Sequence, residues 1–215
     1  AFILTNPSNP CGCVWSRESL TALARLCEEK DFYIVSDEIY EHLIYGGCEQ
    51  FSVAAMTPGA KERTIVVNGV SKSYAMTGFR IGYAAGPQDV IKAMINYQSQ
   101  ATSAPNTMAQ YAATKALTME QNCVEEMRQA FEQRRDVICA GINAIPGVHC
   151  QVPCGAFYVM MNVKALIGRQ HMGKTLQSSG DVAMALLESK HVVTVPGEAF
   201  MADGYCRLSY ATDLT

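Results

Sequence analysis

The chain opens on an apolar run, Phe2-Ile3-Leu4, that reads as a buried strand, and leaves it through the dense turn chemistry of Asn6-Pro7-Ser8-Asn9-Pro10-Cys11-Gly12. Apolar Leu20, Leu23, Ala24 and Cys27 then recur at helical spacing up to about Glu29. Ser16 is placed to cap that helix, with Ser19 where a capping box has glutamate. Phe32–Val35 is the next strand and runs into Ser36-Asp37-Glu38-Ile39-Tyr40. Strand, helix, strand in that order predicts a right-handed parallel crossover, and the runs 64–68 and 81–85 extend the same sheet. A helical region starts at Pro87 with Val90, Ile91 and Met94 on one face, breaks at Ser103-Ala104-Pro105, and resumes from Met108 to Leu117.

A second long helix, about 122–144, sets Val124, Met127, Phe131 and Ile138 opposite Glu125, Arg128, Glu132, Arg134 and Arg135, a charge run that reads as a solvated face. After Pro146-Gly147 the pattern becomes short strands (148–152, 156–163, 192–195, 205–210) around one helix near 181–189. The polar, glycine-bounded stretch Gly168–Gly180 reads as a mobile loop. The expected architecture is therefore α/β, a mostly parallel sheet with flanking helices over residues 1–123, followed by a smaller α+β domain over 124–215.

Composition narrows the function classes. With 49% hydrophobic and 17% charged residues, the 215-residue chain reads as a soluble globular protein with one large or two modest cores. A net charge of −3 with scattered Lys and Arg argues against nucleic acid or an anionic membrane as the main partner. No apolar run approaches the roughly 18 residues of a membrane span, and no signal peptide is visible. The nine cysteines are irregularly spaced, and Cys11/Cys13 with Cys150/Cys154 do not build a two-pair zinc pattern; buried thiols in a reducing cytoplasm are the simpler reading, so a cytoplasmic location without a metal is expected. His42, His149, His171 and His191 are isolated and carry no assigned role.

The candidate chemistry centres on residues 68–83. Strand 64–67 delivers Lys72 to its tip, among small or apolar neighbours (Gly69, Val70, Ala75, Met76) that hydrate an ammonium poorly. A neutral lysine amine is a nucleophile toward carbonyls. Arg80 follows in a segment whose Gly78 and Gly82 permit close backbone approach, and its guanidinium fork suits a phosphate. From the residues alone, ordinary surface charges on a loop are the favoured reading of both, since most lysines are solvated. Ligands of a parallel sheet bind at the carboxyl ends of its strands, and Asn9, Asp37, Tyr40 and Lys72 all fall at such ends. Asp37 leaves a buried strand and needs a cation or hydrogen bonds, or else caps the following turn. Arg207, between Cys206 and Leu208 on a strand, is costly there unless paired.

The spacing Gly69-x-Ser71-Lys72-x-x-Ala75-Met76-x-Gly78-x-Arg80-Ile81-Gly82 resembles the pyridoxal-phosphate lysine signature of the class I/II aminotransferases, and the chain as a whole is most similar to the bacterial-type aspartate aminotransferases among them. The resemblance runs from Ala1 to Thr215 and implies part of the PLP-transferase fold type I large domain plus the smaller C-terminal domain. It further implies a chain corresponding to the C-terminal half of such a protein, without its last helix and incomplete by itself as a catalyst, in keeping with an opening inside a strand and no initiator methionine. The implied cofactor is pyridoxal 5'-phosphate. Lys72 would bind it covalently and serve as general acid and base, Asp37 would keep its ring nitrogen protonated, and Tyr40 and Asn9 would reach its phenolic oxygen. Arg80 and, more weakly, Ser71 would hold its phosphate, because Gly69 stands where many relatives carry a phosphate-binding serine.

Arg207, with Asn9, would bind the substrate's α-carboxylate, and Phe157 and Tyr158 resemble the family's cleft wall. Cys11 departs from the family's Asn-Pro-Thr-Gly, and Asn9-Pro10 is expected to be a cis peptide. The implied activity is transfer of an amino group between an amino acid and a 2-oxo acid, with aspartate and 2-oxoglutarate the expected pair, in a homodimer. A β-lyase, a cyclopropane-forming synthase or a non-catalytic fragment would share these motifs.

Overall fold

The computed structural model describes residues 1–214. The chain divides into two compact units, Ala1–Ser8 with Cys13–Arg128, and Asn9–Gly12 with Gln129–Thr215.

The first unit is built on strands β1 (Phe2–Thr5), β2 (Ile34–Asp37), β3 (Thr64–Gly69) and β4 (Gly82–Ala85), hydrogen-bonded in that order. β1, β2 and β3 run parallel, with Thr5 opposite Asp37 and Asp37 opposite Val67, so their carboxyl ends share one edge of the sheet. β4 extends the sheet as expected but antiparallel, Gly69 facing Gly82, because the loop from β3 returns directly instead of crossing over through a helix. The crossover from β1 to β2 is helix α1 (Arg17–Glu29), capped by Ser16, whose hydroxyl accepts from Ser19 N at 3.2 Å. The spacing of Leu20, Leu23, Ala24 and Cys27 buries one stripe of α1 against Leu4 and Ile34, and Val53 and Ala60 of the short turns around α2 (Pro58–Lys61) close that core. Each buried leucine, isoleucine or valine of this core contributes on the order of 1.5–3 kcal/mol by leaving water.

Helices α3 (Gln88–Ala101) and α4 (Thr107–Thr118) fall where the broken periodicity placed them. α4 buries Ala109, Ala113 and Ala116, whereas α3 has no fully buried residue: Val90 and Ile91 are half-buried and Met94, Ile95 and Tyr97 are exposed. The long helix α5 (Asn122–Asn143) supplies residues to both units.

The second unit carries β5 (His149–Cys150), β6 (Tyr158–Asn162), β9 (Val195–Pro196) and β10 (Tyr205–Ser209) in an antiparallel sheet ordered β5-β6-β10-β9, with helix α6 (Ser179–Lys190) capped by Ser178. Two expectations are corrected here. The stretch read as a mobile loop contains a two-stranded hairpin, β7 (Gln170–His171) and β8 (Lys174–Thr175), turned by Met172 (φ 47°) and Gly173 (φ 79°). Two successive positive φ values are the tight hairpin geometry that matches strand twist. The charge run on α5 is not uniformly solvated either. Arg135 is only 6% exposed, because its guanidinium donates to Pro153 O and pairs with Glu132 and Asp136, exchanging hydration for a carbonyl and two carboxylates.

Residues 9–12 leave β1 and pack in the second unit. Gly12 O accepts from Cys154 N and Gly155 N at 3.0 and 2.9 Å, and a Cβ on Gly12 (φ +65°) would meet Pro153 Cβ at 2.5 Å. The expected cis bond at Asn9-Pro10 is corrected as well: that peptide is trans, and the cis bond among the described residues is Asn6-Pro7, where the chain turns at the end of β1 beside the buried Asn6 side chain.

Candidate active site

In the first unit the carboxyl ends of β2 and β3 carry the side chains that the sequence singled out. Asp37 is the last residue of β2 and half-buried; its Oδ1 accepts from Ile39 N at 3.1 Å, which fixes the carboxylate at the start of the turn. Two backbone bonds shape that turn, Glu41 N to Glu38 O and Leu43 N to Tyr40 O, each 2.9 Å, and Tyr40 lies on it 5% exposed. Lys72 sits in the loop leaving β3, half-buried, with Nζ 5.8 Å from the centroid of the Tyr40 ring. That distance is within the range in which an aromatic face attracts an ammonium. Asp37, Tyr40 and Lys72 are thus gathered at one edge of one sheet, the place where parallel sheets bind ligands.

Ser71 and Arg80 share the loop with Lys72. Its neck is closed by Val70 N donating to Ile81 O at 3.4 Å, and β3 and β4 approach so closely that a Cβ on Gly69 would lie 2.8 Å from Ile81 O. A side chain at 69 is therefore excluded by the packing of the two strands, which is the physical reason for glycine there. Arg80 ends the short helical turn Thr77–Phe79 in the left-handed region (φ 56°), a conformation costing about 1–2 kcal/mol for a residue with a Cβ. Its guanidinium is exposed, donates from Nη1 to Thr77 O at 2.9 Å, and forms no ion pair with a carboxylate of the described residues. It borders a groove of about 850 Å³ lined also by Gly82, Ala84, Met94 and Tyr97.

Glu38, to which the sequence assigns no role, lies at the same strand end. Its carboxyl is buried next to Asp37, and Oε1 accepts from the hydroxyls of Ser36 and Ser52, each at 2.8 Å. Burial raises its pKa; the two serine hydrogen bonds oppose that shift, while the neighbouring Glu41 and Asp37 carboxylates add to it. The only sequence signal was an acidic residue one step past an apolar strand, and Ser52 is too distant in the chain to have been paired with it.

In the second unit Arg207 occupies the central strand β10, opposite Met160 of β6 and Val195 of β9. Its Nη1 donates to Asn9 Oδ1 at 2.7 Å. Because a guanidinium only donates, the Asn9 amide is oriented with its oxygen toward Arg207 and its NH2 group left to donate elsewhere. The Arg207 Cζ lies 4.4 Å from the Tyr158 ring centroid and 4.7 Å from that of Phe200. The pairing that a strand arginine requires is therefore met by an amide oxygen and two rings; no carboxylate of the described residues pairs with it. Phe157, half-buried, stacks on Phe131 at 5.4 Å and lies 4.8 Å from the Tyr158 ring, and of the two aromatics read together in the sequence it is Tyr158 that faces the arginine. Phe200 was missed, since a phenylalanine at the end of a short turn carries no signal in isolation.

The donor set fits pyridoxal 5'-phosphate chemically: an amine for its aldehyde, a carboxylate for a protonated ring nitrogen, a tyrosine hydroxyl for its phenolic oxygen and a guanidinium for its phosphate. No group of three or more potential metal ligands exists among the described residues, and none of their helices is long and apolar enough to cross a membrane.

Comparison with known proteins follows the same line. Residues 1–215 match the family described as aminotransferase class I and II. Aspartate aminotransferase of Streptomyces avermitilis is 47% identical over 210 residues, covering 98% of this chain and 52% of the relative. That of Bacillus subtilis is 47% identical over 214 residues, covering 100% and 53%. The crystal structure of the Rhizobium meliloti aspartate aminotransferase superimposes with a TM-score of 0.95 at 42% identity, covering 99% of this chain and 54% of that one. The Thermus thermophilus aspartate aminotransferase with maleate superimposes with a TM-score of 0.88 at 46% identity. The chain spans about half the length of the curated relatives it matches.

Proposed function

Because this chain belongs to the aminotransferase class I and II family, whose fold-type I architecture it shares, we propose that it supplies the lysine-bearing part of an enzyme that moves an amino group between an amino acid and a 2-oxo acid with pyridoxal 5'-phosphate. The observation that carries the reading is the Lys72 amine 5.8 Å from the Tyr40 ring, on the sheet edge that also ends in Asp37. When bound, the cofactor supplies an electron sink for negative charge at the substrate Cα.

In this reading Lys72 Nζ would hold the cofactor and would take the proton from the substrate Cα as general base. The Asp37 carboxylate accepts a hydrogen bond from the protonated ring nitrogen, held in place by Ile39 N. Tyr40 and the NH2 group of Asn9 donate to the phenolic oxygen. Arg80, presented by its left-handed backbone and without a carboxylate partner among the described residues, would bind the phosphate with help from Ser71. Arg207 offers its remaining donors to the substrate α-carboxylate. Aspartate and 2-oxoglutarate are the proposed pair; aspartate is supported by the names of relatives at 43–47% identity, and the 2-oxo acid is proposed as its partner. A homodimer is proposed, supported by the exposed apolar side chains Tyr97, Met108 and Tyr111 of α3 and α4.

Borohydride reduction of the loaded full-length protein, followed by peptide mapping, tests the assignment. The label is expected on Lys72, and a label on Lys92 or Lys115 overturns it. Recovery of pyruvate and ammonia in place of a keto acid and an aminated cofactor would replace amino transfer by elimination.

A further inference from the structure

We propose that Phe200, with Tyr158, is a positioning residue that fixes the plane of the Arg207 guanidinium for capture of a carboxylate; the inference rests on the reading of Arg207 given above. An arginine meets a carboxylate best through two parallel N–H donors in one plane, so a flexible guanidinium loses much of that advantage before binding. A protein carboxylate could hold the group still, but would occupy the fork and cancel its charge. Aromatic faces hold a cation without taking any of its donors. Here the rings of Tyr158 and Phe200 lie 4.4 and 4.7 Å from Arg207 Cζ, and among the described residues the one donor used is Nη1, toward Asn9.

The backbone that presents these rings is tightly specified. Tyr158 lies opposite Ser209 on the neighbouring strand, diagonal to Arg207 and within reach of a long side chain. Phe200 ends the turn Gly197–Phe200, which Ala202 N closes onto Gly197 O at 2.9 Å. A Cβ on Gly197 would come within 2.0 Å of Ala202 O, so that turn admits no side chain at its start. Phe200 itself is half-buried, and its place is explained by the arginine it faces more than by a core it fills.

The test uses the full-length, cofactor-loaded protein and maleate as the carboxylate probe, with calorimetric dissociation constants beside steady-state kinetics on aspartate. Phe200→Leu is expected to raise the maleate Kd and the aspartate KM about tenfold while kcat changes less than about threefold, the signature of lost ground-state binding. Phe200→Tyr, which keeps an aromatic face, is expected to restore both within about twofold. A Phe200→Leu Kd within twofold of wild type, in a protein where Arg207→Lys raises it more than tenfold, overturns the positioning role. An Arg207→Lys Kd equal to wild type instead overturns the carboxylate reading of Arg207 on which it rests. Should Phe200→Leu not fold, Tyr158→Leu removes the other ring, and unchanged maleate affinity there overturns the proposal equally.

Discussion

Arg207 Nη1 donates to Asn9 Oδ1 at 2.7 Å, tying a strand arginine near the end of the chain to a loop residue 198 positions earlier. The bond orients both partners, since it consumes one donor of the guanidinium and turns the amide's own donors outward. Replacing Asn9 by Asp keeps the shape but gives Arg207 a permanent anionic partner that competes with any incoming carboxylate. Asn9→Asp is therefore expected to raise the KM for aspartate more than Asn9→Ala does, by at least about tenfold over wild type, or about 1.4 kcal/mol. Steady-state kinetics on the full-length protein check this, and an Asp variant that binds aspartate as well as wild type contradicts it.

On the proposed reading, Asp37→Asn removes the charge that would hold a protonated ring nitrogen while leaving an oxygen that can still accept from Ile39 N. The amino-transfer half-reaction is expected to slow by more than about a thousandfold, or roughly 4 kcal/mol, with cofactor affinity reduced much less. Rapid-mixing absorbance measurements decide it, and a loss of under about tenfold sinks the role given to Asp37.

The buried carboxyl of Glu38 has a raised pKa, chiefly through burial. The folded state then holds this proton more tightly than the unfolded chain does. Its contribution is fully present below the unfolded value of about 4.3 and is lost as pH rises toward the folded value. Glu38→Gln keeps an oxygen for the hydroxyls of Ser36 and Ser52 but cannot ionise. Its melting temperature is expected to fall less than that of wild type as pH is raised from 4 to 7; parallel pH profiles would exclude this account.

Gly12→Ala combines a positive φ with a Cβ that would lie 2.5 Å from Pro153 Cβ and 2.6 Å from Gly155 O. The backbone term costs about 1–2 kcal/mol and the overpacking about 1–3 kcal/mol, so a loss of about 2–5 kcal/mol is expected in urea unfolding. A loss under about 1 kcal/mol would show that the loop relaxes freely.

Cys139 is buried on α5, and burial pushes its thiol up to about 12. At pH 8 the thiolate fraction is then about one in ten thousand, so iodoacetamide is expected to modify the exposed Cys123 long before Cys139. Mass spectrometry of briefly alkylated protein checks the order, and equal rates would contradict it.

What the sequence determined by itself is what local physics controls. The stripe Leu20, Leu23, Ala24 and Cys27, the Ser16 cap and the β-branched run at 64–67 place α1 and β3, because periodicity and capping act within a few residues. The spacing from Gly69 to Gly82 likewise announced the family, since the lysine, the arginine and the glycines that let the strands close are all contained in one loop. Only the tertiary structure decided what depends on approach between distant segments. The direction of β4 and the place of the cis bond were not legible in the periodicity, and the burial of Arg135 and the Ser36–Glu38–Ser52 cluster were not legible because they depend on Pro153 O and Ser52, partners well separated along the chain. The surroundings of Arg207 show the division most sharply. Strand alternation required some partner for it, but an amide from residue 9 and rings from residues 158 and 200 could be chosen only by folding, which brings together groups whose separation in sequence carries no periodic signal.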